Sequence, residues 1–380
     1  MPVKLKPLSE QVIVITGASS GIGLTTARKA AKAGAAVVLA SRNEEALKTI
    51  ADEINAAGGR AHSVAGDVGD PAQVEAIARA AIARFGGFDT WINDAGVGLY
   101  GELETVPLED HERLFRTNYF GVVNGSLEAV KHLKGRKTGG AIINLGSVLS
   151  DVAVPLLGAY SASKHAVKGF TDALRMELVR DKAPISVTLI KPSSISTPFP
   201  EHARNYMDKA PRVPPPVYAP EVVADAILHA AQNPTRHVNV GSGGRQMVLF
   251  GGGAPRLADR LFAAAMPKLA KRRSDKTPGD NLYAAGKDGH VRIDAYGGRR
   301  FSVYTKAQQH PAMTLGIGVL ALAAAAAYLG RGPIARNARP LAARMARPMV
   351  ARAALRRPLA TARFAARHPR EALGLAKALR

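Results

Sequence analysis

Tyr160 and Lys164 stand four residues apart in the stretch Tyr160-Ser161-Ala162-Ser163-Lys164. On a helix that spacing puts both side chains on one face, one turn apart. A free tyrosine titrates near pH 10 and is a poor base at neutral pH. A neighbouring ammonium favours the tyrosinate and lowers that value. The pair could then give a proton to an oxygen in one direction and take it back in the other. Ser147 precedes Tyr160 by 13 positions, and its hydroxyl could hydrogen-bond and polarise the same oxygen. That chemistry suits a carbonyl and its alcohol, where hydride goes to carbon and a proton to oxygen. Alone, Tyr160 and Lys164 read better as an ordinary amphipathic pair. The case for chemistry comes from what surrounds them.

A hydride donor needs a cradle, and residues 16–23 (TGASSGIG) offer one. Glycines let the backbone approach a pyrophosphate, and the amino end of a following helix presents free N–H groups and a positive dipole end. The turn sits between a strand-like run and a helix-like run, the context such a motif requires. At the end of the second strand-like run stand Ser41 and Arg42. Sites for NAD usually place an acid there for the ribose 2′-hydroxyl, whereas a guanidinium suits a 2′-phosphate by charge and fork geometry. NADP(H) is therefore expected over NAD(H).

These residues need a frame. Residues 11–16, 35–40 and 61–65 read as buried strands, with helical periodicity over 24–33 and 43–57 between them. The alternation continues with a strand at 90–93, a helix over 108–130, a strand at 141–145, a helix over 160–179 and a strand at 185–191. Residues 238–240 fit a last short strand. The order predicts an α/β fold with a Rossmann-type, doubly wound parallel sheet and right-handed crossovers.

Taken together, the motifs resemble those of the short-chain dehydrogenase/reductase family over about two-thirds of the chain. The family's TGxxxGIG is residues 16–23, and its Asn-Asn-Ala-Gly is met as Asn93-Asp94-Ala95-Gly96. Its asparagine, serine and Tyr-x-x-x-Lys fall on Asn118, Ser147, Tyr160 and Lys164. The resemblance implies that these four are catalytic. Asn118 would anchor a water that links Lys164 to solvent, and Lys164 would also hold the nicotinamide ribose. It further implies cofactor contacts from Gly17, Ser19, Ser20, Gly21, Ile22 and Gly23 in the turn and from Ser41 and Arg42. Asp67 and Val68 would meet the adenine, with Asn93, Ala95 and Gly96 nearby. Pro192, Ile195 and Thr197 would pack on the nicotinamide. A homodimer or homotetramer through the helices at 108–130 and 160–179 is implied on the same footing. Two positions depart from the family. Asp94 replaces an asparagine and is expected to touch sheet support more than chemistry. Ser193 replaces the glycine after Pro192 and could alter the loop over the nicotinamide.

The chain has 380 residues and no cysteine, which excludes disulfides, thiolate metal sites and a cysteine nucleophile. Its ten histidines show no metal-ligand spacing, so no metal is expected. His165 and Trp91 read as packing residues. Residues 1–10 lack an apolar segment of signal length, which points to the cytoplasm. Residues 1–250 hold 27 Lys and Arg against 24 Asp and Glu, so nearly all of the net charge of +22 belongs to the last 130 residues. We read 1–250 as the cofactor-binding catalytic domain, 251–310 as an amphipathic helix and irregular linker, and 311–380 as an apolar helix and arginine-rich tail. Residues 311–329 carry no charge and barely reach the length of a membrane span. A buried or dimer-docking helix fits them equally well. The tail of 330–380 has 13 Lys and Arg and one acid, which favours the cytoplasmic side and an anionic membrane surface. It lacks the interleaved aromatics of a nucleic-acid site, so no specific nucleic acid is expected. The substrate would be a small carbonyl or alcohol, lipophilic if the tail holds the enzyme at a membrane. A nucleotide-binding scaffold that acts through its tail is the alternative. An epimerase or dehydratase without net redox change is a third reading.

Overall fold

Val12–Thr16 (β1), Ala36–Ser41 (β2), Arg60–Ala65 (β3) and Thr90–Asn93 (β4) are followed by Gly140–Leu145 (β5), Ile185–Pro192 (β6) and His237–Val240 (β7). All seven lie parallel in one sheet of order β7-β6-β5-β4-β1-β2-β3. Val14 of β1 sits opposite Val38 of β2 on one side and Trp91 of β4 on the other. Every residue of β4, β5 and β6 is buried, as expected of a parallel sheet with helices on both faces. One face carries a core built on Ile13, Ile15 and Leu39, the other a core built on Val14, Trp91 and Phe88. The strand order reverses between β1 and β4, and a crevice opens at the carboxyl ends of strands at such a point.

The computed structural model describes residues 3–136, 138–275, 279–286, 288–292, 297–309 and 314. The apolar stretch of 311–329, apart from Thr314, and the arginine-rich tail of 330–380 lie outside them. Among the described residues no helix is long and apolar enough to cross a membrane.

Three helices flank the first strands: Gly21–Lys32 (α1), Glu44–Ala56 (α2) and Pro71–Phe85 (α3). The last was not anticipated from periodicity, yet its ends are signposted. Asp70 caps it by accepting from the Ala72 amide at 2.9 Å, Pro71 opens it and Gly86 closes it in the left-handed region. The single helix expected over 108–130 is two, Leu108–Phe115 (α4) and Gly121–Lys134 (α5), joined by a π-helical turn over Arg116–Phe120. Such turns are rare and recur at functional sites. This one contains Asn118. Gly158–Arg180 (α6) carries Tyr160 and Lys164.

The boundary expected at residue 250 is not where the fold ends. The compact unit runs to Gln309. Helices Ser242–Gly253 and Pro255–Leu269 follow β7, and strand Lys271–Asp275 pairs antiparallel with Lys209–Pro211. The stretch expected to be an irregular linker is integral to the unit. Leu282 has no exposed surface and sits with Val97, Leu99, Leu114 and Ala159. Tyr283 donates to Asp110 Oδ1 at 2.8 Å. Helix Val303–Gln309 covers the edge strand β7: Gln308 Nε2 donates to the Asn239 carbonyl at 2.8 Å, and Thr305 Oγ1 accepts from the Gly241 amide at 3.1 Å. Polar side chains suit that task because an edge strand presents unpaired backbone groups. Replacing Leu282 by Ala should therefore destabilise the chain by about 2–4 kcal/mol in urea denaturation; a residue of a loose linker would change it by about 0.5 kcal/mol or less.

Candidate active site

The crevice between β1 and β4 holds a cleft of about 170 Å³. Its floor is the turn after β1. Gly17 has φ +72°, and a Cβ there would lie 2.8 Å from the backbone of Ala95. A Cβ on Gly23 would lie 2.2 Å from the Gly17 carbonyl oxygen. The turn and the first coil of α1 thus close to a distance that only glycine permits. Gly17, Ser19, Ser20, Gly21 and Ile22 line the cleft from the turn; Ser41, Arg42, Asp67 and Val68 line it from the ends of β2 and β3. Ala95, Gly96 and Thr197 line it from the loops after β4 and β6.

Of the other expected cofactor residues, Tyr160, Lys164, Pro192 and Ile195 line an adjoining cavity, while Gly23 and Asn93 line neither space. Gly23 serves packing. Asn93 is buried in the sheet, where its Nδ2 donates to Asn144 Oδ1 at 2.8 Å and Ser126 Oγ at 3.1 Å and its Oδ1 accepts from Trp91 Nε1 at 2.8 Å. It ties β4 to β5 and α5. Other polar groups of the cleft already have protein partners. Ser41 Oγ accepts from the Asn43 amide at 3.2 Å. Burial opposes the charge of Asp67, but Arg113 donates to it at 2.6 Å and outweighs burial, holding the carboxyl below its ordinary range. Arg42 donates to the carbonyls of Asn281 and Leu282, residues that sequence reading had left in a linker.

The second centre lies where β5 ends and α6 begins. Ser147 is fixed by accepting from the Leu149 amide at 3.1 Å, while its own amide donates to Ser150 Oγ at 3.1 Å. The Tyr160 ring packs on Phe199 with centroids 5.3 Å apart. Lys164 is buried; its Nζ donates to the Leu145 carbonyl at 2.8 Å and lies 5.7 Å from the Tyr160 ring centre. Asn118 is also buried. Its Nδ2 donates to the Val97 carbonyl at 3.0 Å and to Ser163 Oγ at 3.2 Å, and its Oδ1 accepts from the Val97 amide at 2.8 Å. Both amide donors are spent, so this side chain holds residue 97 against α6, and a water at Asn118 would be held by an oxygen acting as acceptor.

The electrostatics differ from expectation in one respect. Burial pushes Tyr160 up to about 12; a hydrogen bond with Ser147 opposes the shift and the charge of Asp94 adds to it. Burial, Ser147 and Asp94 set this value, and the Lys164 ammonium donates to the Leu145 carbonyl. Burial also pulls Lys164 down to about 8, with Asp94 opposing. Asp94 itself is driven up to about 7 by burial, against the pull of Lys164 and the Gly23 amide. Its expected role in sheet support is corrected: Asp94 lines both the cleft and the neighbouring cavity and is electrostatically coupled to Lys164 and Tyr160.

That cavity measures about 560 Å³. Ser147, Tyr160, Lys164, Pro192 and Ile195 line it, and Thr197 lines both spaces. Its walls are apolar. Val148, Leu149, Val154 and Leu157 come from the loop after β5, and Val213–Pro216 from the proline-rich loop. Met247, Phe250, Met266 and Leu269 come from the two helices after β7, which sequence reading had not brought to the site. The signal was the i,i+3 spacing of those apolar pairs. Ser193, where the family has glycine, leaves a buried hydroxyl oxygen without a partner on this wall.

Comparison with known proteins agrees with this fold. The short chain dehydrogenase family profile matches residues 11–207. An uncharacterized oxidoreductase of Bacillus subtilis, YxnA, is 46% identical over 329 residues, covering 85% of this chain and 92% of the relative. A match of that span necessarily runs through residues 280–309. Among solved structures, a short chain dehydrogenase/reductase from Burkholderia phymatum in complex with NAD superposes with TM-score 0.61 at 27% identity, over 72% of this chain and all of that one. An alcohol dehydrogenase from the archaeon Thermococcus sibiricus, complexed with 5-hydroxy-NADP, gives 0.53 at 25% identity, over 60% of this chain and 95% of that one. With fold and sequence match in agreement, the chain belongs to the short-chain dehydrogenase/reductase family and is an oxidoreductase of that family.

Proposed function

We propose that the chain interconverts a carbonyl and an alcohol on a lipophilic substrate, using NADP(H), with Tyr160 as the general acid and base. The observation that carries this reading is a shared wall. Ile22, Asp94, Gly96 and Thr197 line both the cleft and the apolar cavity into which Ser147 and Tyr160 open. The close glycine turn and the amino end of α1 fit a pyrophosphate, and a bound nicotinamide would supply or accept the hydride. The chain's own residues do the rest. Ser147 orients the substrate oxygen. Tyr160, kept as a phenol by burial, hands it a proton, which favours reduction at neutral pH. Lys164 lines the cavity beside Gly96 and Asp94, which the two spaces share, and would hold the ribose. Asn118 positions the backbone around Val97. The lipophilic reading now rests on the cavity walls rather than on the tail.

Arg42 uses two of its five N–H donors on carbonyls and keeps three for a 2′-phosphate, which supports NADP(H). Exposed Leu108, Phe120, Leu127, Met176 and Val179 lie on or beside the helices expected to form a dimer or tetramer contact. The arginine-rich tail supports a peripheral place on the cytoplasmic face of an anionic membrane. An intact Ser147, Tyr160 and Lys164 set weighs against a mere nucleotide-binding scaffold.

Three measurements test this reading. Tyr160→Phe should lower turnover of an apolar ketone panel by about 10²–10⁴-fold while NADPH affinity stays within about twofold. Equal turnover by both proteins would remove Tyr160 from the chemistry, and NADPH left unconsumed while product forms would favour the epimerase reading. Arg42→Ala should weaken NADPH binding by about tenfold or more and NADH far less; equal losses would make Arg42 a bystander. The third is a pH profile. Reduction needs the phenol, which burial keeps protonated, so from pH 7 toward 10 its rate should fall only as far as the loss of the Lys164 charge at about pH 8 lowers it. Oxidation needs the tyrosinate and should climb over the same range. Asp94→Asn removes a charge that raises Tyr160, so the oxidation profile should move to lower pH. An unmoved profile would show that Asp94 is not coupled to the reacting oxygen.

A further inference from the structure

Residues 280–286 and 288–292 run along the dinucleotide cleft, and Asn281, Gly286 and Asp288 line it together with Gly17 and Gly96. This segment is pinned at both ends. On one side Leu282 is fully buried, Tyr283 donates to Asp110 at 2.8 Å and Asp280 pairs with Arg204 at 3.4 Å. On the other, Arg292 pairs with Glu221 and Val291 packs on the main core. Between the pins its backbone bonds to the glycine turn. The Gly289 amide donates to the Ser19 carbonyl at 2.9 Å, and the Gly21 amide donates to the His290 carbonyl at 3.0 Å. Asn43 Nδ2 donates to the Gly286 carbonyl at 3.3 Å, and Arg42 donates to the carbonyls of Asn281 and Leu282.

The chemistry of these contacts is specific. Gly21 opens α1, so its N–H belongs to the helix end where an anion is favoured. A guanidinium at the end of β2 is likewise a phosphate-binding group. Both are met by neutral carbonyl oxygens of the chain itself. We propose that this segment is a strap that forms the outer wall of the cofactor site and gates it. When the strap is closed, its carbonyls stand in for cofactor oxygens at Gly21 and Arg42. The dinucleotide enters and leaves only when residues 284–286 and 288–290 lift from the glycine turn. Hydrogen bonds to an anion are roughly twice as strong as those between neutral groups, so phosphate oxygens can displace the strap where a neutral ligand cannot. The inference rests on the dinucleotide reading of the cleft given above.

Stopped-flow mixing of the full chain with NADPH, followed by nucleotide fluorescence, tests the gate. Wild-type association rates should level off with NADPH concentration, at the rate of strap opening. Asp280→Asn combined with Tyr283→Phe loosens one pin, and Arg292→Ala loosens the other. None of these three side chains lines the cleft. Each variant should raise the plateau by about tenfold, equivalent to about 1.4 kcal/mol off the opening barrier, and should bind NADPH more tightly. Binding by the variants where wild type shows none would support the gate in its strongest form. Rates that rise linearly, with one slope for wild type and variants, would overturn the gate and leave the dinucleotide reading standing. Failure of all three proteins to bind NADPH or NADH, each still unfolding cooperatively, would overturn both.

Discussion

Parallel strands bring all their carboxyl ends to one side of a sheet. Where the strand order reverses, the crossover helices diverge to opposite faces and neither covers the gap. Here the gap lies between β1 and β4, and each functional feature of the molecule is set by distance from it. The glycine turn after β1 fills its floor, so any residue with a Cβ at position 17 would collide with the backbone after β4. The loops after β5 and β6 extend the gap sideways into the apolar cavity. Polar recognition and apolar recognition thus meet along one seam, at Ile22, Asp94, Gly96 and Thr197.

That seam is also where charge is hardest to hold. Lys164 is buried, and an ammonium in low dielectric must either find partners or lose its proton. The Leu145 carbonyl and the charge of Asp94 are what keep it charged. The same burial acts on Asp94 and Tyr160 in the opposite sense, because it disfavours their anions. Three groups with ordinary values spread over many pH units are compressed or displaced by one cause. An asparagine at position 94, as the family has, would leave Lys164 with less support and Tyr160 with less opposition. The aspartate moves the resting proton toward the tyrosine, and the direction of chemistry it favours follows from that.

Most of the sheet was legible because it depends on side-chain pattern. The β-branched runs of β1, β2, β5 and β6 can be buried on both faces in only one way, and the glycine turn demands its strand and helix. Tyr160 and Lys164 could be placed from spacing alone, since α6 is continuous through them. The electrostatics could not. The shift of Tyr160 is set first by its burial, which spacing along a helix does not reveal. Asn93 illustrates the same limit: its motif position suggested a cofactor contact, and only the pairing of β4 with β5 shows that its amide is consumed inside the sheet. The π-helical turn at Asn118 breaks a periodicity that looked unbroken in sequence.

The segment after residue 270 was illegible for a deeper reason. Pattern reading assumes that a segment joins a fold through a periodic run of apolar side chains, and in residues 280–309 apolar residues alternate irregularly with polar ones and glycines. They join it chiefly through the backbone instead. An edge strand and the open end of a helix are both rows of unsatisfied main-chain groups, and any chain can supply the missing acceptor or donor. Leu282 and Val291 are enough to hold the segment down, and carbonyls do the rest at Gly21 and Arg42. Carbonyls are common to every residue, so nothing in the sequence marks which ones will be used. What fixes them is the supply of unpaired donors on the finished sheet, which exists only after β1, α1 and β7 are in place.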